Sequence, residues 1–195
     1  MDKFDELGNN IRSAFRLLYF YNDRMLNLMN YIGKTFNLSF CYDNSLWYEP
    51  PLKDKDNITK RNKGWNWLPS FFHEFHFENT KLQFSVFLQS DTGAWKSVDQ
   101  NWENVESFGE ITESKTRLLF SLSNSKGWDT SLLIDENYNK FTEDEFEVKK
   151  GKKTYYCKAY ELKDFQDDKH SKKTLKEYFS YIQNKGIIDL EYKEE

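Results

Sequence analysis

The chain has 195 residues, with 28 Lys and Arg against 32 Asp and Glu, and a formal net charge of -4. Charged residues make up 31% and aromatic residues 18%, and so many aromatic rings require a folded core. These values exclude collagen-like, coiled-coil-only, disulfide-scaffold and transmembrane proteins. At about 150 residues per domain, they predict a single domain over residues 1–195.

The compartment is predicted from the amino terminus and the cysteines. Asp2, Asp5 and Glu6 stand where a secretory signal carries basic residues. The longest nearly apolar run is far shorter than the about 20 residues that a membrane span needs. We therefore predict a cytoplasmic protein without a membrane partner, in which Cys41 and Cys157 are reduced, buried thiols.

The strongest periodic signal lies near the amino terminus. Apolar side chains there alternate between spacings of three and four residues, which predicts one stripe of a helix over residues 2–33. The stripe consists of Phe4, Leu7, Ile11, Ala14, Leu18, Tyr21, Met25, Leu28 and Ile32. Phe15, Leu17, Tyr19 and Phe20 widen the apolar surface. Two alternatives follow: a helix wrapped by its own chain, or the seam of a homodimer.

Over residues 36–163 the apolar pattern changes to period two, which is typical of half-buried strands. The predicted strands cover residues 36–42, 71–78, 82–88, 118–122, 132–134, 146–149 and 155–162. Short turns between them, for example at Gly151, favour antiparallel pairing. Residues 49–64 form a predicted long loop, and residues 94–114 carry no clear pattern.

A second, shorter helix is predicted at the carboxyl end. It covers residues 171–185, with Ser171 as its N-cap and Gly186 as its stop signal. One long helix, a run of strands and one short helix predict an α+β fold. In that fold, the long N-terminal helix packs on an antiparallel sheet of about five to seven strands.

Two histidines, His73 and His76, lie near the spacing of a helical zinc motif. On a strand, residues three apart point to opposite faces, so these two side chains cannot bind one ion. We therefore predict no metal site and no cofactor. Glu74, His76 and Glu78 share the other face, which we expect to be solvent-exposed sheet exterior. Acid–base chemistry in a cleft is the alternative for that face.

A catalytic alternative involves Asp135, Glu147 and Lys149. An Asp on one strand and a Glu-x-Lys on the next is how restriction-type nucleases hold Mg²⁺ and place a Lys near the attacking water. Glu161 and Lys163 repeat the same spacing, so chance alone produces this pattern in so charged a chain. We therefore predict no catalytic residue and keep a metal-dependent nuclease as an alternative.

Basic residues are concentrated between Lys149 and Lys176. This segment holds ten Lys and four acidic residues, a local excess of +6. Such a patch is a candidate phosphate-binding surface, but it contains no Arg, the residue that binds phosphate with two hydrogen bonds. We expect a solvated sheet edge there, with phosphate or nucleic-acid binding through this segment as the alternative.

The candidate ligand-binding surface is a group of aromatic residues in predicted loops. Trp47 and Tyr48 precede the loop of residues 49–64, and Trp65 and Trp67 follow it. Flat rings supply contact area at low entropic cost, although rings that cap a small core fit the same pattern. We predict a non-catalytic protein that binds an unidentified protein partner through these residues. A carbohydrate-binding module is the further alternative.

Overall fold

The computed structural model describes residues 3–46, 72–97, 108–125 and 127–193. Within these ranges the chain forms three α-helices and six strands: α1 (Lys3–Thr35), β1 (Ser39–Ser45), β2 (Phe72–Glu78), β3 (Gln83–Gln89), β4 (Arg117–Ser123), α2 (Thr130–Asn137), β5 (Glu145–Lys150), β6 (Lys153–Glu161) and α3 (Asp168–Asn184). The predicted α+β fold is confirmed. Every helix in the described ranges is too short or too polar to cross a bilayer.

All strands belong to one antiparallel sheet in the order β1-β2-β3-β4-β6-β5. Local turn chemistry closes its hairpins. The Asn79 side chain accepts hydrogen bonds from the backbone N–H groups of Lys81 and Leu82, both at 2.8 Å, between β2 and β3. Gly151 has a φ of 63° in the two-residue turn between β5 and β6, a conformation that favours glycine. Both hairpins were predicted from the sequence, and both are confirmed.

The first face of the sheet is covered by α3 and by the second half of α1. Buried side chains of α1, including Met25 and Ile32, join Phe84 and Phe120 of the sheet and Tyr178 of α3 in one core. The Phe120 and Tyr178 rings meet edge to face at 5.0 Å. Aromatic residues therefore fill the space between helices and sheet.

The second face is covered by α2 and the short 3₁₀ helix Tyr138–Thr142. Leu132 and Leu133 of α2 are buried there. The strand predicted over residues 132–134 is therefore wrong. Asp129 explains the difference, because its carboxylate accepts a hydrogen bond from the Leu132 backbone N–H at 3.1 Å and so caps a helix.

Two other boundaries differ from prediction. The N-cap of α3 is Asp167, whose carboxylate accepts from the His170 backbone N–H at 2.8 Å, so α3 begins before Ser171. The first strand begins at Ser39 rather than at residue 36, because the backbone N–H groups of Phe36 and Leu38 still donate to carbonyl oxygens at the end of α1. Gly186 follows α3 with a φ of 81°, as a stop signal requires.

Arg117 anchors the cover of the second face. Its side chain is 5% exposed and donates hydrogen bonds to the carbonyl oxygens of Phe141 and Glu143 and to Gln89 Oε1. It also pairs with Asp144 at 3.2 Å. The 3₁₀ helix beside α2 is thus attached to β4 by one guanidinium group.

We predict that Arg117→Met lowers the free energy of unfolding by about 3 kcal/mol, because buried acceptors lose a charged donor. The measurement is urea denaturation. Lys115→Met is the matched control. Lys115 is 53% exposed and pairs with Glu161 at the surface, so its loss should cost less than about 1 kcal/mol. Equal costs for the two variants would contradict the anchoring role.

Candidate functional site

A buried carboxylate lies on the second face of the sheet. Glu74 of β2 is 0% exposed. It accepts hydrogen bonds from Ser85 Oγ at 2.6 Å, Trp128 Nε1 at 2.7 Å and Thr130 Oγ1 at 3.0 Å. Burial raises the pKa of Glu74, and these three donors oppose that rise. We call Glu74, His76, Ser85, Trp128 and Thr130 the buried polar cluster.

The hydrogen bonds of this cluster assign the tautomer of His76. Ser85 Oγ gives its proton to Glu74, so it accepts from His76 Nδ1, which lies 2.8 Å away. His76 is 2% exposed, and burial lowers its pKa to about 4. At neutral pH the imidazole is therefore uncharged, and its Nε2 carries a free lone pair.

Aromatic rings enclose His76. Tyr42 of β1 stacks on it with ring centroids 4.8 Å apart, and Trp128 lies 5.1 Å away on a tilted plane. The expectation that Glu74, His76 and Glu78 form solvent-exposed exterior is therefore wrong for the first two residues. Trp128 and the start of α2 cover this face, whereas Glu78 at the end of β2 is exposed.

Small polar side chains continue across the sheet in one row. His76, Ser85, Ser121 and Cys157 are cross-strand partners on β2, β3, β4 and β6. The Cys157 thiol donates to Ser121 Oγ at 3.2 Å. Burial raises the pKa of Cys157 to about 12, so it is an unreactive structural thiol.

Cys41 differs from this buried thiol. It lies on the edge strand β1 and is exposed, so the expectation that both thiols are buried is wrong for Cys41. Cys41, His76 and Glu78 each offer one potential metal-ligand atom, and these three atoms lie within 4.8 Å of one another. The three residues could therefore hold a metal ion. The sequence prediction of no metal site considered only His73 and His76. His73 bonds instead to Asp43 at 2.8 Å.

The predicted aromatic binding residues Trp47, Tyr48, Trp65 and Trp67 lie outside the described residues. Trp128 was given no role in the sequence analysis, yet it covers the buried polar cluster. Its position directly after the Gly127 turn and before the Asp129 cap is the signal that could have indicated a covering residue.

The residues of the nuclease-like alternative occupy different surroundings from those expected. Asp135 lies on α2, a helix, rather than on a strand. Glu147 lies on β5 and accepts from Lys185 Nζ at 3.0 Å, and Lys149 Nζ is 3.5 Å from its other oxygen. The Lys185 partnership lowers the pKa of Glu147 and occupies its carboxylate in an ion pair at the sheet edge.

The basic segment from Lys149 to Lys176 divides between the β5–β6 hairpin and α3. Several of its lysines pair with acidic residues of the same chain. Lys150 lies 3.2 Å from Glu136, and Lys158 lies 3.0 Å from Glu177. A cleft of about 320 Å³ between β6 and α3 includes the second pair. This cleft has a lining of mixed charge, which indicates no particular ligand class.

We predict that Ser85→Ala lowers the free energy of unfolding by about 2 kcal/mol, because Glu74 loses a donor and His76 loses its acceptor. Ser121→Ala is the control. It removes the same hydroxyl from a fully buried site on the adjacent strand, where the described partner is a weakly donating thiol. We expect a cost below about 1 kcal/mol for it. Equal losses in urea denaturation would contradict the network.

We predict that a thiol reagent labels one cysteine in the native protein and two in urea. In chelator-containing buffer at pH 8, exposed Cys41 reacts. Cys157 stays protected, because it is buried and burial raises its pKa to about 12. Peptide mass spectrometry identifies the labelled residue. Rapid native labelling of Cys157 would contradict the described burial.

Comparison with known proteins identifies a family. The family model described as PM0109 matches residues 2–190, which include α1, all six strands and the buried polar cluster. No curated protein matches the chain, and no solved structure matches it. The extent of the family match shows that this chain belongs to the PM0109 family.

Proposed function

We propose that this protein is a non-catalytic interaction protein and that its binding surface is the first half of α1. Residues 4–20, the projecting segment, are all exposed apart from half-buried Gly8. Eight large apolar side chains of this segment are exposed: Phe4, Leu7, Ile11, Phe15, Leu17, Leu18, Tyr19 and Phe20. Such an apolar surface, about 25 Å long at 1.5 Å per residue, supports a role in binding a macromolecule.

The spacing of these side chains supports a helix as the partner. Met25, Leu28 and Ile32 belong to the same stripe and are buried against the sheet. The stripe continues without a break in spacing through Leu18 and Ile11 into the projecting segment. Alternating steps of three and four are the pattern by which helices pack along one another.

A second copy of the chain fits this surface. Asp5, Glu6, Arg12 and Arg16 are the charged residues of the projecting segment, so its net charge is zero and two copies do not repel. An antiparallel pair therefore brings no net charge of either sign to the contact. The helix dipoles are then also opposed, which adds a small favourable contribution.

The magnitude of apolar burial is sufficient for association. Full burial of a Leu or Phe side chain contributes about 1.5–3 kcal/mol. If half of the eight exposed side chains become buried in both copies, the free energy of their burial offsets the cost of association. That cost, from lost translational and rotational freedom, is about 4–15 kcal/mol. Phe15 and Leu17, which are 70% and 69% exposed, widen the contact beyond the stripe itself.

The predictions of a second binding surface and of a cytoplasmic location remain predictions. The aromatic group around Trp47 and Trp65 is a second candidate surface for a protein partner. A cytoplasmic location is compatible with free Cys41 and Cys157. The described residues add no support to the nuclease or carbohydrate-binding alternatives.

We predict that the wild-type protein at micromolar concentration has twice the 23.6 kDa mass of one chain, and that Ile11→Glu weakens dimerisation by about 100-fold or more. The reason is that each copy places a charge in the apolar seam. Native mass spectrometry and light scattering give the masses. Ile11 is exposed in the single chain, so its replacement leaves the fold intact.

Asn9→Glu is the matched control, since it adds the same charge to the opposite side of α1. It should remain a dimer. A monomeric wild-type protein, or equal dimerisation of the wild type and Ile11→Glu, would contradict the proposed function.

A further inference from the structure

The edge of the sheet at β1 carries a local irregularity that brings Cys41 close to β2. Phe40 pairs with Phe77 and Tyr42 pairs with His76, so Cys41 is an extra residue in a β-bulge. Phe40 packs on Phe77 of the first face, 5.7 Å between ring centroids, whereas Tyr42 stacks on His76 of the second face. In a regular strand these two residues would share a face. The bulge therefore directs the Cys41 region towards His76 and Glu78, and bulges commonly re-aim side chains at functional sites.

Three different metal-binding groups meet at this bulge. A thiol from Cys41, a ring nitrogen from His76 and a carboxylate oxygen from Glu78 lie within 4.8 Å of one another. Ligand atoms around one tetrahedral zinc ion lie about 3.5 Å apart, given bond lengths of about 2.0–2.3 Å. Cys41 and Glu78 are exposed, so rotation of these two side chains closes the remaining distance.

The third ligand is already oriented. The Nδ1–H of His76 is held by Ser85 Oγ at 2.8 Å, and Ser85 is in turn held by Glu74 at 2.6 Å. Metal-binding histidines characteristically donate their other ring N–H to such a partner, which fixes the ring and the tautomer. Nδ1 is thus occupied, and Nε2 is the nitrogen left for a metal ion.

We propose that Cys41, His76 and Glu78 form a binding site for a single Zn²⁺ ion at the edge of the sheet. A thiolate, an imidazole and a carboxylate suit zinc, whereas Mg²⁺ and Ca²⁺ prefer oxygen ligands alone. Water takes the fourth position. On binding, the Cys41 thiol transfers its proton to solvent and its sulfur bonds to the ion. The bound ion joins β1 to β2.

This inference is independent of the proposed interaction surface, because its ligands lie on β1 and β2 rather than on the projecting segment. The test is titration of the full-length, metal-free protein with Co²⁺, followed by competition with Zn²⁺. Cobalt bound by a thiolate gives a sulfur-to-metal charge-transfer absorption band. We expect this band, one zinc ion per chain in native mass spectrometry, and a dissociation constant in the micromolar range or below.

Variants separate the three ligands from general metal binding. Cys41→Ser should abolish the band and weaken zinc binding at least tenfold, and Glu78→Gln should weaken binding about tenfold while keeping the band. Both side chains are exposed, so in the presence of chelator both variants should have the same midpoint of urea denaturation as the metal-free wild type. Two further variants serve as controls: Cys157→Ala for the second thiol and Asp43→Asn for a carboxylate elsewhere on β1. Both should bind zinc as the wild type does.

Three results would overturn the proposal: no charge-transfer band, much less than one zinc ion per chain, or equal affinity in Cys41→Ser and the wild type. The same native mass spectra report whether the chain is a dimer. Failure of the zinc site is therefore distinguishable from failure of the proposed interaction surface.

Discussion

A carboxylate leaves water only where hydrogen-bond donors replace the solvent, and Glu74 meets this condition with donors from three separate segments. Ser85 lies on β3, Trp128 lies in the turn after β4, and Thr130 is the first residue of α2. If any one of these segments moves, the carboxylate is left buried with an incomplete set of donors, which costs several kcal/mol. Glu74 therefore fixes the start of α2 on the second face, and through Ser85 it also orients the His76 ring.

The two faces of the sheet are stabilised by different chemistry. On the first face, aromatic and aliphatic side chains around Phe120 and Tyr178 pack against two helices. On the second face, an apolar region around Phe87 and Phe141 adjoins the buried polar cluster, which lies towards β1. The groups capable of chemistry are thus concentrated at one end of the sheet, beside an edge strand with a bulge and an exposed thiol.

The elements with a regular apolar period were predictable from the sequence, and those determined by side-chain capping were not. The stripe from Phe4 to Ile32 and the hairpin turn at Gly151 indicate structure through local pattern alone. Leu132 to Ile134 is apolar enough for a strand, whereas the structure has a helix there whose start is capped by Asp129. Glu74 and His76 follow a polar-outward pattern, and their burial depends on Trp128, a residue distant in the chain. The meeting of Cys41 and Glu78 depends on a bulge that alternation conceals.

The two halves of α1 are maintained by different forces. Residues from Met25 onwards are held against the sheet, whereas the projecting segment is exposed to solvent. A helix of about 17 residues without tertiary packing is only marginally stable in water, because nucleation is costly and each added turn contributes little. In the proposed dimer, order in the projecting segment would be linked to the partner: dilution that separated the copies would remove helical structure from this part of α1 and leave the sheet folded. Under that proposal, helix content would depend on protein concentration, and recognition and folding would form one coupled equilibrium at this end of the molecule.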